Sequence, residues 1–247
     1  MGKAYFASDF HLGVPTYEES LTREKKIVRW LGEIESDCET LFLMGDVFDF
    51  WYEYTTVVPK YYTRILGKLA SMTDAGIKIY FFKGNHDMWT FDYLTKEIGL
   101  EVIDEELVTT INETTLYLHH GDALWKGEAS YKLVRKIFRS RWAIWLFHRL
   151  HPNFGIGLAN YLSVSSRKKN GVKDELDIPL EKEYQYQFAM DHSTKNDVDY
   201  YIFGHRHKPM DVPIRDKARL INLGDWVSKY TYAVLEDTNV TLHTYND

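Results

Sequence analysis

Six short runs of apolar, aromatic and β-branched residues punctuate the chain: Ala4–Ser8, Thr40–Met44, Lys78–Phe82, Thr115–His119, Tyr200–Phe203 and Arg219–Leu223. Each is too short for a helix, and polar or glycine-rich residues bound it, so each reads as a buried strand. Between the early runs, Glu18–Ser36 and Val57–Ala75 carry apolar residues at helical spacing, with Ile27, Trp30, Leu31 and Ile34 on one face. Such alternation predicts an α/β domain built in layers. Two hairpins are predicted as well, Leu107–His119 turning at Asn112-Glu113 and Tyr232–Thr244 turning near Asp237–Asn239, which makes the sheets mixed. No repeat or Pro/Gly-rich linker interrupts the 247 residues, so they read as one domain. A helical insertion over 123–175 interrupts it. Within this insertion Tyr131–Leu150 is helical and aromatic, Pro152 and Gly155 to Gly157 predict a break, and Leu158–Val164 is helical again.

Composition adds exclusions. The single Cys38 rules out an internal disulfide and a cysteine-type zinc site, and it fits a reducing compartment. No stretch approaches the roughly 18 apolar residues of a membrane span, and the N-terminus does not read as a signal peptide. A soluble, cytoplasmic chain is expected. The formal net charge of −6 hides an asymmetry. Residues 126–173 hold eleven basic residues and one acid, Glu128, leaving the remainder strongly acidic. Trp142, Ala143, Trp145, Leu146 and Phe147 lie beside Lys132, Arg135, Lys136 and Arg139 in this segment. Two readings of that helix stand: a surface resting on anionic membrane, or a core-facing helix with a solvated charged face. A basic surface also suits nucleic acid, but the chain is acidic overall and carries no nucleic-acid module, so no such partner is expected.

The chemistry sits where strands end. Five successive predicted strands close on Ser8-Asp9-Phe10-His11, Gly45-Asp46-Val47-Phe48-Asp49, Gly84-Asn85-His86-Asp87, His119-His120-Gly121-Asp122 and Gly204-His205-Arg206-His207. Open α/β sheets gather ligands at the carboxyl ends of their strands, so these residues should meet in one cleft. Imidazole, carboxylate and amide donors together suit manganese, iron or zinc better than magnesium or calcium. They are too many for one ion, and two cations sharing one carboxylate would use them.

The order Asp-x-His, Gly-Asp-x-x-Asp, Gly-Asn-His-Asp, His-Gly-Asp, Gly-His-x-His resembles the calcineurin-like metallophosphoesterase family, over nearly the whole chain. The resemblance implies a four-layer α/β/β/α sandwich with mixed sheets, plus a helical lid formed by the insertion. It also implies two divalent ions, most plausibly Mn²⁺, and hydrolysis of a phosphoester by the water they activate. Asp9, His11 and His207 would hold one ion, and Asn85, His120 and His205 the other, with Asp46 bridging. His86 would stabilise the transition state or protonate the leaving oxygen. Asp49, Asp87 and Asp122 would orient ligands and turns, and His119 would be a core or supporting residue.

Within the family the chain is similar to the UDP-2,3-diacylglucosamine hydrolases. Ser8 to Leu12, Gly45 to Trp51, Gly224-Asp225-Trp226 and the basic insertion ending Ser166 to Lys173 carry that likeness. It implies a nucleotide-sugar lipid as substrate and an anionic inner-membrane surface as partner, with no obligate protein partner. Ser166, Asn170 and Lys173, with Glu128 and Tyr131 at the lid's entry, become substrate contacts beside His86. One departure stands out: the best-known branch of these hydrolases has arginine where this chain has His86. A phosphodiesterase or nucleotide pyrophosphatase with a soluble substrate is the other enzyme reading, and it would not need an apolar lid. A scaffold that kept the fold and lost its chemistry would normally lack ligands, and here every ligand position is filled.

Overall fold

The computed structural model describes residues 2–124, 129–159, 161–163, 178–215 and 217–246. Two mixed sheets face each other. The first has six strands in the order β11-β10-β1-β2-β3-β4, where β1 is Lys3–Ala7, β2 Cys38–Leu43, β3 Lys78–Phe82, β4 Glu101–Ile103, β10 Thr231–Glu236 and β11 Asn239–Thr244. Strands β1 to β4 run parallel, and β10 joins antiparallel to β1. The second sheet has the order β5-β6-β7-β9-β8, from β5 Leu107–Ile111, β6 Thr114–Leu118, β7 Tyr200–Phe203, β8 Met210–Ile214 and β9 Ala218–Asn222.

Side-chain alternation explains the layering. Phe6, Phe42, Phe82, Leu116, Leu118, Ile202 and Ile221 meet between the sheets. Their neighbours Tyr5, Ala7, Leu41, Leu43, Ile79 and Phe81 face the other way, against helices α1 (Tyr17–Ile34) and α2 (Thr63–Asp74). On the far side Tyr117, Tyr201, Phe203 and Leu220 pack with Ala189 of α7 (Tyr184–His192). Both faces of the central strands are therefore buried, as their near-continuous apolar runs require. Helix, sheet, sheet and helix stack as the four expected layers.

Local chemistry sets the element ends. Thr16 caps α1 by accepting the Glu19 N–H at 3.2 Å, while its hydroxyl donates to the Glu19 carboxylate at 2.7 Å. The Thr16 hydroxyl thus satisfies one N–H of the first turn while the Glu19 side chain holds that hydroxyl in place. Helix α2 begins at Thr63 rather than at Val57 because Pro59 and the segment around it cannot enter a helix interior. The first predicted hairpin turns where expected, with Asn112 and Glu113 both in the left-handed region (φ 48° and 64°) that a two-residue hairpin needs.

The insertion differs from its prediction. Tyr131–Leu150 is not one helix but two, α4 (Ala129–Phe138) and α5 (Arg141–His148), because Ser140 adopts extended backbone and caps α5 by accepting the Ala143 N–H. The helical run does break before Pro152, with residues 149–151 outside any helix, but Gly155 to Gly157 do not interrupt the helix that follows. Residues 152–159 form helix α6, and Pro152 stands at its first position, where a missing N–H costs nothing. Residues 161–163 are helical too. Among the described residues no helix is long and apolar enough to cross a membrane.

Cys38 is a built-in probe of this packing. Burial at the start of β2 pushes its thiol up to about 12. At pH 8 the folded protein should resist a thiol-reactive chromogen, and one thiol per chain should react once denaturant unfolds it. Immediate labelling without denaturant would show that the layer beneath α1 opens freely.

Candidate metal centre

The five strand-end motifs converge at one end of the paired sheets. Beyond β1 and β2 the two loops stay zipped together: Asp9 N–H donates to Gly45 O (3.0 Å), His11 N–H to Asp46 O (2.9 Å) and Leu12 N–H to Val47 O (3.0 Å). Holding the ligands this way requires unusual backbone. Asp9, His11, Asp46, His205 and His207 all occupy the left-handed region, with φ of 56°, 44°, 53°, 68° and 50°. Each such non-glycine residue costs on the order of 1–3 kcal/mol, and strain of this kind clusters at functional sites. Two glycines make room. A Cβ on Gly84 would overlap the Asp46 carboxylate, and one on Gly204 would overlap Asp9 and Ser8.

Around Asp9, the His11 and His207 Nε2 atoms lie 3.0 Å apart, and Asp9 Oδ1 sits 3.6 and 3.1 Å from them. That oxygen is buried and accepts no well-aligned hydrogen bond. Around Asp46, Oδ2 lies 3.4 Å from His120 Nε2 and 3.9 Å from His11 Nε2, and His120 Nε2 is 3.2 Å from Asn85 Oδ1. His205 completes this second group, one of three in the described residues whose donor atoms all lie within 4.8 Å of one another. Donors bound at about 2.1 Å to one cation stand roughly 3.0–3.4 Å from each other, so the groups have the dimensions of coordination shells. The donor types fit a transition-metal ion.

Charge is arranged to match. Burial works against ionising Asp9 and Asp46, yet His207 holds Asp9, and His120 with His86 holds Asp46, well below the usual carboxylate range. Burial pushes His11 down to about 3 and His205 to about 4, favouring the neutral imidazole that can ligate. The far nitrogens are also occupied: His120 Nδ1 donates to Met44 O at 2.8 Å, and His11 Nδ1 faces Asp49 Oδ1 at 3.3 Å. Each bond fixes a tautomer with Nε2 directed into the site.

His86 belongs to the same cluster. Its backbone N–H donates to Asp46 Oδ1 (2.8 Å) and its Nδ1 to Asp49 O (2.9 Å), which leaves Nε2 for a substrate. Asp87 accepts the N–H groups of Gly84 (2.8 Å), Val47 (2.8 Å) and Phe48 (3.3 Å), tying the β2 and β3 loops together. His119 is buried and accepts the Gly121 N–H, outside the donor groups. Tyr131 donates to Asp122 at 3.0 Å, so its hydroxyl faces a supporting carboxylate. Glu128, Ser166, Asn170 and Lys173 lie outside the described residues.

Several supporting residues carried no signal in the sequence reading. Buried Arg23 on α1 donates to the carbonyls of Phe10 (2.8 Å), His11 (2.6 Å) and Val14. Between His205 and His207, Arg206 turns away and forms a bidentate, buried pair with Glu183 (3.1 Å twice). Gln185 and Asn222 both donate to Gly204 O, at 2.9 and 2.8 Å. From the late Gly-Asp-Trp, the Trp226 N–H reaches Asp9 O at 3.1 Å.

The model of the family described as calcineurin-like phosphoesterase matches residues 2–209. The chain belongs to this family. Among curated relatives, the UDP-2,3-diacylglucosamine hydrolase of Porphyromonas gingivalis is 38% identical over 99% of this chain and 98% of its own. The protein of the same name from Hamiltonella defensa is 29% identical over 83% of this chain and 76% of its own. Among solved structures, Yfce, a phosphoesterase from E. coli, aligns at 15% identity with a TM-score of 0.45, covering 99% of this chain and 100% of its own. As in the phosphoesterase family at large, the donor groups are those of a divalent-metal centre.

The Arg206–Glu183 pair offers a test of how this loop is held. Removing one partner of a buried pair strands the other charge, at a cost of about 3–5 kcal/mol. Glu183→Ala should lower the free energy of urea unfolding by that amount, and metal affinity should fall because His205 and His207 flank Arg206. Unchanged stability and affinity would show that the loop does not depend on the pair.

Proposed function

We propose that the chain hydrolyses the diphosphate of UDP-2,3-diacylglucosamine, releasing UMP and 2,3-diacylglucosamine 1-phosphate. One observation carries the substrate. A cavity of about 430 Å³ opens beside Asn85, His86 and Asp49 and runs between Met88, Trp89, Val134, Phe138, Phe147, Leu158 and Leu162. Its size suits a ligand site, and its wall is apolar where a soluble phosphodiester would need none. Most of that wall comes from α4, α5 and the helical residues that follow, so these helices act as a lid over acyl chains. The names of the relatives from P. gingivalis and H. defensa support the same substrate.

In this reading Asp9, His11 and His207 would hold one manganese ion and Asn85, His120 and His205 a second, with Asp46 available to both. When bound, the pair supplies Lewis acidity that neutralises phosphoryl charge and lowers the pKa of water toward about 7. The protein's own groups do the rest. Asp46 Oδ2 lies within reach of both donor groups, and its Oδ1 fixes the His86 backbone. The Asp49 contact aims His86 Nε2 at the phosphoryl oxygens, where it stabilises charge or protonates the leaving oxygen. With the acyl chains in the cavity, the nucleotide lies toward the open side, so the attacked phosphorus is the one next to uridine.

The lid's outer surface fits an anionic bilayer. Leu133, Ile137, Trp142 and Leu146 are exposed, Trp142 by 76%, close in sequence to Lys132, Lys136 and Arg141. We place the chain peripherally on the cytoplasmic face of the inner membrane, where its substrate resides.

Three measurements check the proposal. Chelation should abolish hydrolysis and Mn²⁺ restore it, and Asp46→Ala should lose at least 100-fold in kcat/KM because both ions lose a ligand. Full activity of metal-free Asp46→Ala would sink the metal mechanism. Val134→Asp or Leu162→Asp should raise KM for the lipid substrate several-fold while sparing bis-p-nitrophenyl phosphate. Equal losses on both substrates would mean that the cavity takes no acyl chain. In ¹⁸O-water the label should appear in UMP, and label in the lipid phosphate would reverse the orientation.

A further inference from the structure

The cavity wall contains a serine hydroxyl that the proposed function has not used. Ser163, in the lid's last described helical residues, donates to Asp49 Oδ2 at 2.9 Å, across 114 positions of sequence. Asp49 is 2% exposed, and its other oxygen faces two imidazoles, His11 Nδ1 at 3.3 Å and His86 Nδ1 at 3.5 Å. One carboxylate thus joins the lid, a metal-ligand histidine and the histidine aimed at the phosphoryl group.

The physical consequence lies in orientation. A carboxylate only accepts hydrogen bonds, and its plane turns toward its donors. A donor at Oδ2 fixes the plane in which Oδ1 meets both imidazoles. The first contact holds the His11 Nδ1–H tautomer, and the second sets a carboxylate beside the His86 Nδ1–H that already donates to the Asp49 carbonyl oxygen at 2.9 Å, so each Nε2 is left for metal or substrate. The Ser163 donor at Oδ2 comes from the lid. When the lid lifts, this anchor goes with it, and both histidines lose part of their alignment.

We infer that Ser163 is a positioning residue: through Asp49, the closed lid aligns His11 and His86 for hydrolysis. The inference rests on the phosphoesterase reading of the site and adds to it a specific residue through which lid and centre are coupled. It also gives the lid a second task. Besides covering the acyl chains, it completes the alignment of the centre only when closed.

The test compares Ser163→Ala with Ser163→Thr, which keeps the hydroxyl, on bis-p-nitrophenyl phosphate and on UDP-2,3-diacylglucosamine, with Mn²⁺ binding followed by electron paramagnetic resonance. Groups that orient metal ligands typically matter 10- to 100-fold. Ser163→Ala should therefore lose about tenfold in kcat on both substrates, leave KM for the diester unchanged and bind Mn²⁺ more weakly. Ser163→Thr should recover most of both. An unchanged kcat on the diester, equal damage in the two variants, or a defect confined to KM for the lipid would each overturn the inference. If the wild-type protein fails to cleave the nucleotide-lipid at all, the substrate proposal fails, while the diester and Mn²⁺ arms still decide the role of Ser163.

Discussion

Two ionised carboxylates buried at the ends of neighbouring parallel strands set the terms for the rest of this molecule. Asp9 and Asp46 are fully enclosed, and an uncompensated ion in such a place costs several kcal/mol. Compensation has to come from groups held within a few ångström. His207, His120 and His86 provide it from other strand ends, and the N–H groups of His205 and His86 donate directly to the carboxylates. Left-handed backbone at Asp9, His11, Asp46, His205 and His207 is the local cost of this arrangement, and the bare glycines at 84 and 204 leave space for it. The hydrophobic sandwich carries that cost. Its aromatic layers position the strand ends rigidly enough for the strained loops to persist.

The lid is built the other way round. Tyr131 and Arg135 on α4, with Arg139 just beyond its end, turn toward the body: Tyr131 and Arg135 meet Asp122, and both arginines meet Glu105. Leu133 and Ile137 are exposed, and Val134 and Phe138 line the cavity. Helix α5 has no buried residue at all. The seat is therefore mixed: ion pairs hold one face of α4, while Phe138 packs on Trp89 and Phe147 on Phe50, Tyr52 and Trp89 of the body. The two pairs with Glu105 are partly exposed and contribute only about 0–1 kcal/mol each, whereas the Arg135–Asp122 pair is largely buried.

What could be read in advance followed physical range. Strands β1, β2, β3, β6 and β7 were legible because burial on both faces forces continuous apolar runs, and the polar residues after them then stood out. Strand β8 was hidden by Pro213 and by exposed Asp211, both tolerable because it lies at a sheet edge. Three-residue β4 is too short for a period. Helix α7, Tyr-Gln-Tyr-Gln-Phe-Ala-Met-Asp-His, buries residues on a stripe too narrow to read as amphipathic. Arg23, Glu183, Gln185 and Asn222 act through partners distant in sequence, and no local pattern announces such pairs. In the insertion, alternating aromatic and basic residues fixed helicity but not which face would meet the body.

The spacing of His205 and His207 draws these levels together. Two consecutive side chains on a strand point to opposite faces, so residues one apart would normally share a face. Here the strand has already ended, and both histidines lie in the left-handed region. His205 joins His120 and Asp46, whereas His207 joins Asp9 and His11. Arg206 between them is drawn the opposite way into the body by Glu183. The intervening residue is therefore an anchor rather than a spacer, and it lets three consecutive side chains serve three different destinations. Because one loop supplies both donor groups, neither can shift without moving the other. That coupling explains why a buried arginine pair lies behind the two histidines rather than a further apolar contact.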